Sequence, residues 1–464
     1  MAARAPVVSD YINRSSTVYD HIVLLSIDTL RSDCIGRNPL KLWPSKYPNL
    51  RAPDTSVLDE LVDQGAFFAN CVSAAPYTSA SHASILNGKW PLRHGVFEFF
   101  NRKLTGDTLF TRAQRAGYRT ILKSDFPLIL GPTLGFDRGI DEFIVESDSA
   151  YLDALGQSER SVSLAHFGGV HVPYGFHNLH YGGDAYRNKL AELEQQIGAA
   201  GSLPKDQLFE TLRDEEDMQY LMRYKRIIQE LWKAGRAEDI FGLYLGGIEH
   251  FLRHRFTAFI DQLKRRLEGK RWLIVLFGDH GEEYDEHSFG HFNSVAEGVL
   301  RVPLLFIGAD VAPAIHTERV RTVDILPTIL DLNGDKHIRR LAVDGISLAS
   351  TVRERTAYAS RCGYAQAYVA DTARFVKFQQ RMMANGKKQG HLPHLLFKEA
   401  VWEGEHKLSR TVADFEQYLG GMAPIEPVNR LERFNAAQMP LAVSEGQIQQ
   451  RLADMLVQYN TIRQ

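Results

Sequence analysis

HIVLLSID, His21 to Asp28, is the stretch on which the fold turns. Its centre, VLLSI, is a short apolar, β-branched run, as a parallel strand buried on both faces requires. It closes on a carboxylate. A second such run, RWLIVLFGDHGE from Arg271 to Glu282, closes on Asp279 and His280. Strands and helices alternate between them. DTSVLDELVDQG, Asp54 to Gly65, has helical periodicity, an acidic or hydroxyl start and a terminal glycine. Phe67 to Ser73 reads as a strand, and Ser79 to Asn87 as a helix ended by Gly88. Thr108 to Gly117 is a helix, and Tyr118 to Lys123 and Ser161 to Phe167 are strands. Phe241 to Gly269 is one long amphipathic helix feeding a strand at Trp272 to Phe277. VPLLFIG, Val302 to Gly308, is a further strand, and Val323 to Gly334 a helix carrying Pro327. The alternation predicts an α/β fold: a large central, mostly parallel sheet sandwiched by helices, with a smaller C-terminal α+β element. Functional groups gather at the carboxyl ends of such strands. Asp28 and Asp279 stand at two of those ends.

The chain of 464 residues has room for one large domain plus appendages. We expect the large domain over residues 18–350 and a smaller region over 351–464. Residues 186–235 are charge-rich and helical, two helices split by GAAGSLP, Gly198 to Pro204. They read as an inserted pair over one face of the core, a solvated excursion rather than a substrate lid. Beyond Thr351 the pattern weakens. RFVKF, Arg374 to Phe378, is the one clear strand there, and the rest reads as polar helix and loop. A formal net charge of -2 gives no field for nucleic acid or an anionic membrane. The N-terminal MAARAPVVSDYINRSS has no apolar core of a signal peptide, and no stretch reaches the roughly 18 apolar residues of a membrane span. Cys34, Cys71 and Cys362 lack CxxC spacing, which argues against a disulfide framework or a thiolate zinc site. A soluble, cytoplasmic protein without a membrane anchor is the expectation, with homo-oligomerisation left open.

Four residues carry the chemistry: Asp28, Thr78, Asp279 and His280. Thr78 lies in PYTSASHASILNG, Pro76 to Gly88, just before a helix. Two carboxylates, an imidazole and a hydroxyl can together hold a divalent cation and activate the hydroxyl as a nucleophile. That is equipment for cleaving phosphate-like or sulfate-like esters. Hard carboxylate oxygens mixed with a borderline imidazole nitrogen suit Mn²⁺ or Zn²⁺, and Mg²⁺ or Ca²⁺ less comfortably.

IDTLRSDCIG (Ile27 to Gly36), PYTSASHASILNGKWPLRHGV (Pro76 to Val96), AHFGGVHVPY (Ala165 to Tyr174) and GDHGEEYDEHSFGHFNSVAEGVLRVPLLF (Gly278 to Phe306) occur in that order, followed by VDILPTILDLNG and DGISL. In these segments the chain resembles the sulfatase-like branch of the alkaline phosphatase superfamily. The resemblance implies an alkaline phosphatase-like fold and one divalent metal ion held by Asp28, Thr78, Asp279 and His280. It departs at the nucleophile. Sulfatases of the family carry Cys or Ser in C/S-x-P/A-x-R and oxidise it to formylglycine. Here the matching run is Thr78-Ser79-Ala80-Ser81-His82. A threonine β-carbon carries a methyl group and cannot become that aldehyde, so attack by a Thr78 alkoxide is the natural alternative. Ser79 and Ser81 are rivals better suited to helix N-terminal hydrogen bonds. His171, in VHVPY, matches the family histidine that contacts the transferring group or the leaving oxygen. His291, in GHFNS, stands where relatives place Lys or His on that group. His82 replaces the family arginine and is a candidate to orient the nucleophile. His166 and His287 are weaker candidates, and Arg93 and His94 read as supporting residues. His250 and His254, with Glu249, offer a second metal site on one helical face, but a packing helix is the preferred reading.

The expected function is metal-dependent hydrolysis of a small-molecule phosphodiester or phosphonate monoester through a phosphothreonine. Sulfatase activity, transfer to an alcohol acceptor and a catalytically silent binding protein are the alternatives.

Overall fold

The computed structural model describes residues 19–97, 102–198, 215–285, 288–291, 294–335, 341–368, 396–413, 424–435 and 438–461. The chain begins with β1 (His21–Ile27), β2 (Ala66–Val72), β3 (Arg119–Ser124), β4 (Glu142–Val145), β5 (Ser161–Phe167) and β6 (Trp272–Gly278). A two-residue ribbon follows, β7 (Tyr284–Asp285) with β8 (Ser288–Phe289), then β9 (Arg301–Gly308), β10 (Ala314–His316) and β11 (Val320–Arg321). Apart from the ribbon, these form one sheet in the order β10-β2-β9-β6-β1-β5-β3-β4, with β11 also on β2. Every pairing is parallel except the two made by β9, with β2 and β6.

β1 is central because all seven of its residues are apolar enough, or satisfied enough, to be buried. Val23, Leu25 and Ile27 face one apolar cluster, and Ile22 and Leu24 face the other. That period of two puts helices on both sides. Leu58 and Leu61 of the Ser56–Asp63 helix join the first cluster, and Ile85 and Leu86 of the Thr78–Asn87 helix join the second. The register then positions the site. Ile27 lies level with Phe167 on β5 and with Gly278 on β6. The next residue on β1 is Asp28 and the next on β6 is Asp279, so two carboxylates distant in sequence emerge side by side.

Three segments depart from expectation. The long helix of residues 241–269 is two helices, Ala237–Phe251 and Thr257–Leu267, joined by a wide π-helical turn at Leu252–Phe256. Phe251, Leu252, Phe256, Phe259 and Ile260 stay on the core side throughout, so apolar periodicity does not register the extra residue. The inserted pair is no solvated excursion. Its helices, Leu179–Ile197 and Glu215–Lys233, bury Tyr186, Leu190, Tyr224, Ile227 and Leu231 in the same cluster as β1. Among the described residues, the C-terminal region is the expected α+β element but has more strands than the sequence located. RFVKF lies outside the described residues, but β12 (Gly363–Tyr368), β13 (Leu396–Glu403), β14 (His406–Ala413), β15 (Pro424–Phe434) and β16 (Pro440–Ala442) form an antiparallel sheet, followed by a Gly446–Thr461 helix. Buried charged residues, Glu399 on β13 and Lys407 on β14, hide these strands from a reading based on apolar alternation. Among the described residues, no helix is long and apolar enough to cross a membrane.

The second sheet is clamped to the first. Glu297, just before β9, accepts from Lys407 Nζ at 3.0 Å, from Trp402 Nε1 at 3.0 Å and from Arg301 Nη2 at 2.6 Å. Burial alone would raise its pKa, but the Lys407 ammonium and Arg301 guanidinium prevail and hold it at about 2. A carboxyl depressed in the folded state stabilises above its unfolded pKa and loses that contribution as pH falls through the folded value. The advantage of wild type over Glu297→Gln in urea unfolding is therefore expected to be full above about pH 4.5 and to vanish toward pH 2. A pH-independent difference would disprove the clamp. The clamp also reaches the active region: Tyr77 Oη donates to the Tyr368 carbonyl of β12 at 2.6 Å, immediately before Thr78.

Candidate active site

Asp28 follows β1, and its N–H donates to the Phe167 carbonyl of β5 at 3.0 Å. Thr29 sits at φ 60°, a backbone outlier for a β-branched residue. That twist brings its N–H to 3.2 Å from Asp279 Oδ1, which also accepts from the His280 N–H at 2.9 Å. Asp279 Oδ1 is thus fixed by two backbone donors. Asp279 Oδ2 and Asp28 Oδ1 are buried without a hydrogen-bond partner. His280 Nδ1–H donates to the Gly281 carbonyl at 3.1 Å, which leaves Nε2 to face Asp28 Oδ1 at 3.5 Å and Asp279 Oδ2 at 3.6 Å. Burial would lower the His280 pKa, but the charges of Asp279 and Asp28 raise it.

Thr78 opens its helix, so its hydroxyl lies at the end where backbone N–H groups are unsatisfied and the dipole favours anions. Its Oγ1 is 3.3 Å from Asp28 Oδ2 and 3.3 Å from His280 Nε2. The structure therefore brings Asp28, Thr78, Asp279 and His280 together, each almost wholly buried. Unpartnered carboxylate oxygens and an unprotected imidazole nitrogen converge there, as a cation-binding set requires. Ser79 and Ser81 are occupied elsewhere. Ser79 donates to the Ile129 carbonyl at 2.5 Å, and Ser81 donates to the Asp279 carbonyl at 2.7 Å.

The histidines divide into two groups. His82 lies one turn below Thr78; its Nδ1–H donates to the Thr78 carbonyl at 2.8 Å, and its Nε2 pairs with Ser26 Oγ at 2.9 Å. Burial lowers it to about 4, against the pull of Asp279. It braces the turn that carries Thr78, with both ring nitrogens engaged. His166, fully buried, lies 3.3 Å from Asp28 Oδ2 through Nε2. His171 and His291 form the other side. The His291 ring is 4.4 Å from that of His280 and 5.4 Å from that of His171. His171 Nδ1–H donates to the Val172 carbonyl at 2.9 Å, and burial lowers the ring to about 3. Burial, then the charges of His280 and Lys225, hold His291 well below its ordinary value. His287 lies outside the described residues. Arg93 pairs with Asp344, and His94 with Ser84 Oγ at 2.9 Å, so both support packing. His250 packs on Phe176 at 4.7 Å, and Glu249 is held by Arg51 and Arg253.

Two residues escaped the sequence reading. Glu282 Oε1 meets His291 Nδ1 at 3.1 Å, while Tyr174 Oη donates to its other oxygen at 3.4 Å. Burial raises Glu282 to about 8, the positive His280 opposing. Its place two residues after His280 in DHGEE was the available signal. Lys225, on the inserted helix Glu215–Lys233, lowers both His171 and His291 by its charge, after burial. The adjacent Tyr224 packs edge-on against Tyr174 at 6.1 Å, which docks this helix on the site loop.

The sulfatase family model matches residues 20–334. The choline-sulfatase of Rhizobium meliloti is 32% identical over 123 residues, 25% of this chain and 24% of that protein. The Δ4,5-hexuronate-2-O-sulfatase of Bacteroides thetaiotaomicron is 25% identical over 349 residues, 64% of this chain and 66% of its own length. The chain thus spans about a quarter of the first relative and about two thirds of the second. The phosphonate monoester hydrolase of Agrobacterium radiobacter shares the fold with a TM-score of 0.62 at 14% identity, over 96% of each chain. With the family model matched over most of its length, the chain belongs to the sulfatase family.

Proposed function

We propose that this chain is a metal-dependent hydrolase of phosphodiesters or phosphonate monoesters that works through Thr78. The observation that carries the reading is the Thr78 hydroxyl, at a helix N-terminus and 3.3 Å from both Asp28 and His280. Asp28, Asp279 and His280, with Thr78 Oγ1, would hold the divalent cation, Mn²⁺ or Zn²⁺, which would supply Lewis acidity and lower the hydroxyl pKa. Thr78 Oγ1 gives up its proton and attacks phosphorus, and the P–O bond to the leaving alcohol breaks. His171 or His291 assists the departing oxygen, which leaves as the alcohol with the proton that Thr78 Oγ1 gives up. Water then attacks the phosphothreonine, Thr78 leaves and recovers a proton, and the free acid departs. The helix N-terminus stabilises charge on the non-bridging oxygens.

A sulfate ester is the second reading, favoured by the activities named for the two sequence relatives. Metal-stripped protein reloaded with Mn²⁺ or Zn²⁺ separates the two. Matched p-nitrophenyl phosphodiester, phosphonate and sulfate esters are compared by kcat/KM. A metal-dependent preference for phosphorus supports the proposal, and a preference for sulfate overturns it. Adding an alcohol tests the transferase alternative by product analysis. The free Cys34, Cys71 and Cys362 support a cytoplasmic placement.

Glu282 Oε1 holds His291 through Nδ1 and so orients its ring in the site. Glu282→Gln is expected to lower kcat about 10-fold to 100-fold, with metal content unchanged, less than the loss of a general acid itself. The readout is the pH–rate profile, whose limb assigned to His291 should move. An unmoved profile with normal kcat would leave Glu282 as packing alone.

A further inference from the structure

We propose that Lys225, on the inserted helix Glu215–Lys233, binds a negative charge on the leaving alcohol, so that the substrate is an ester whose leaving alcohol is itself anionic. This rests on the hydrolase reading above and narrows its substrate. The placement starts from the helix. Met218, Leu221, Lys225, Ile228 and Trp232 recur at spacings of three and four, which sets them along one face. Met218, Leu221 and Ile228 are buried, and Lys225 is half-buried among them. Trp232, about two turns beyond Lys225, packs edge-on against Phe289 at 5.2 Å. Phe289 precedes His291 by two residues. Tyr224, next to Lys225, packs edge-on against Tyr174 at 6.1 Å, and Tyr174 follows His171 by three residues. The helix is thus fastened to the loop of His171 beside Lys225, and to the loop of His291 two turns further on.

The lysine's charge is felt at the same two histidines. Burial lowers both rings first, and the Lys225 ammonium adds to that in each. At His280 the charges of Asp279 and Asp28 prevail over burial instead. His171 and His291 are the residues that assist the departing oxygen, so Lys225 attends the leaving side. The transferred group has the helix N-terminus at Thr78, and the cation, to answer its own charge. In-line displacement sets the leaving oxygen opposite the attacking Thr78 Oγ1. An ammonium on a flexible stem, brought over that side by a packed helix, is suited to a charge carried by the alcohol. The neighbouring Arg223 does not share the task, because Glu194 holds its guanidinium at 2.6 Å.

The test uses full-length, metal-loaded protein and phenylphosphonate esters whose leaving alcohols differ in charge: meta- and para-hydroxybenzoate against the matching hydroxybenzamides. Wild type is expected to prefer a carboxylate ester by about 10-fold to 100-fold in kcat/KM, mainly through KM, the worth of one charged hydrogen bond. Lys225→Met keeps an apolar stem on the helix face and should bring that ratio close to one, whereas Lys225→Arg should retain most of it. No preference in wild type for either isomer would overturn the proposal whether or not the variants fold. Equal losses on carboxylate and carboxamide esters in Lys225→Met would also overturn it, placing the ammonium on the transferred group. If wild type turns over none of these esters, the failure belongs to the phosphorus reading. Titration calorimetry with the free alcohols, hydroxybenzoate against hydroxybenzamide, then decides the proposal by the same ratio in wild type and Lys225→Met.

Discussion

Thr78→Ala is expected to abolish turnover, lowering kcat by at least about 10⁴-fold, while the protein stays folded and keeps its metal. The size follows from the step removed. If Thr78 forms a covalent intermediate, no neighbouring hydroxyl can replace it: Ser79 points to the Ile129 carbonyl and Ser81 to the Asp279 carbonyl. Folding should survive because Thr78 opens a helix whose first turn His82 braces from below through the Thr78 carbonyl. Thr78→Ser retains the hydroxyl and should keep measurable activity. Acid-quenched wild type should yield a Thr78 peptide bearing the transferred group, and the mass of the adduct separates a phosphorus ester from sulfate. Retained activity in Thr78→Ala would eliminate the nucleophile, whatever the substrate.

The sequence made the strand ends legible because burial on both faces leaves an unmistakable apolar run, and a charged residue closing such a run has few structural reasons to be there. HIVLLSID and RWLIVLFGD therefore marked Asp28 and Asp279, and register brought them together. What stayed hidden depends on three-dimensional pairing. Glu282 is functional in position only because the chain turns back to set His291 against it. Lys225 lies in a segment whose surface charges, such as the Arg223–Glu194 pair, masked the buried face made by Tyr224, Ile227 and Leu231. Most strands of the expected C-terminal α+β element went unlocated for a related reason. Glu399 faces the interior with Arg410 as its partner, so the apolar alternation that announces a strand is broken by a satisfied ion pair.

The second large effect separates function from stability. Asp279→Asn is expected to lose metal binding and activity, yet its metal-free form should be more stable than metal-free wild type. The Asn oxygen can still accept from the Thr29 and His280 N–H groups that now hold Asp279 Oδ1. What changes is the second atom, a carboxylate oxygen buried without a partner and aimed at Asp28 and His280. An acceptor oxygen buried without a partner costs stability until a cation arrives. Wild type should therefore gain about 4 kcal/mol of unfolding free energy at metal concentrations 1,000-fold above Kd, and the variant nothing. Thermal unfolding of both proteins, with chelator and with saturating Mn²⁺ or Zn²⁺, measures all four states. Equal stability of the two metal-free proteins would disprove a cost from burying the unpartnered oxygen. A metal-induced shift in the variant as large as in wild type would place the cation somewhere other than between Asp28, Asp279 and His280.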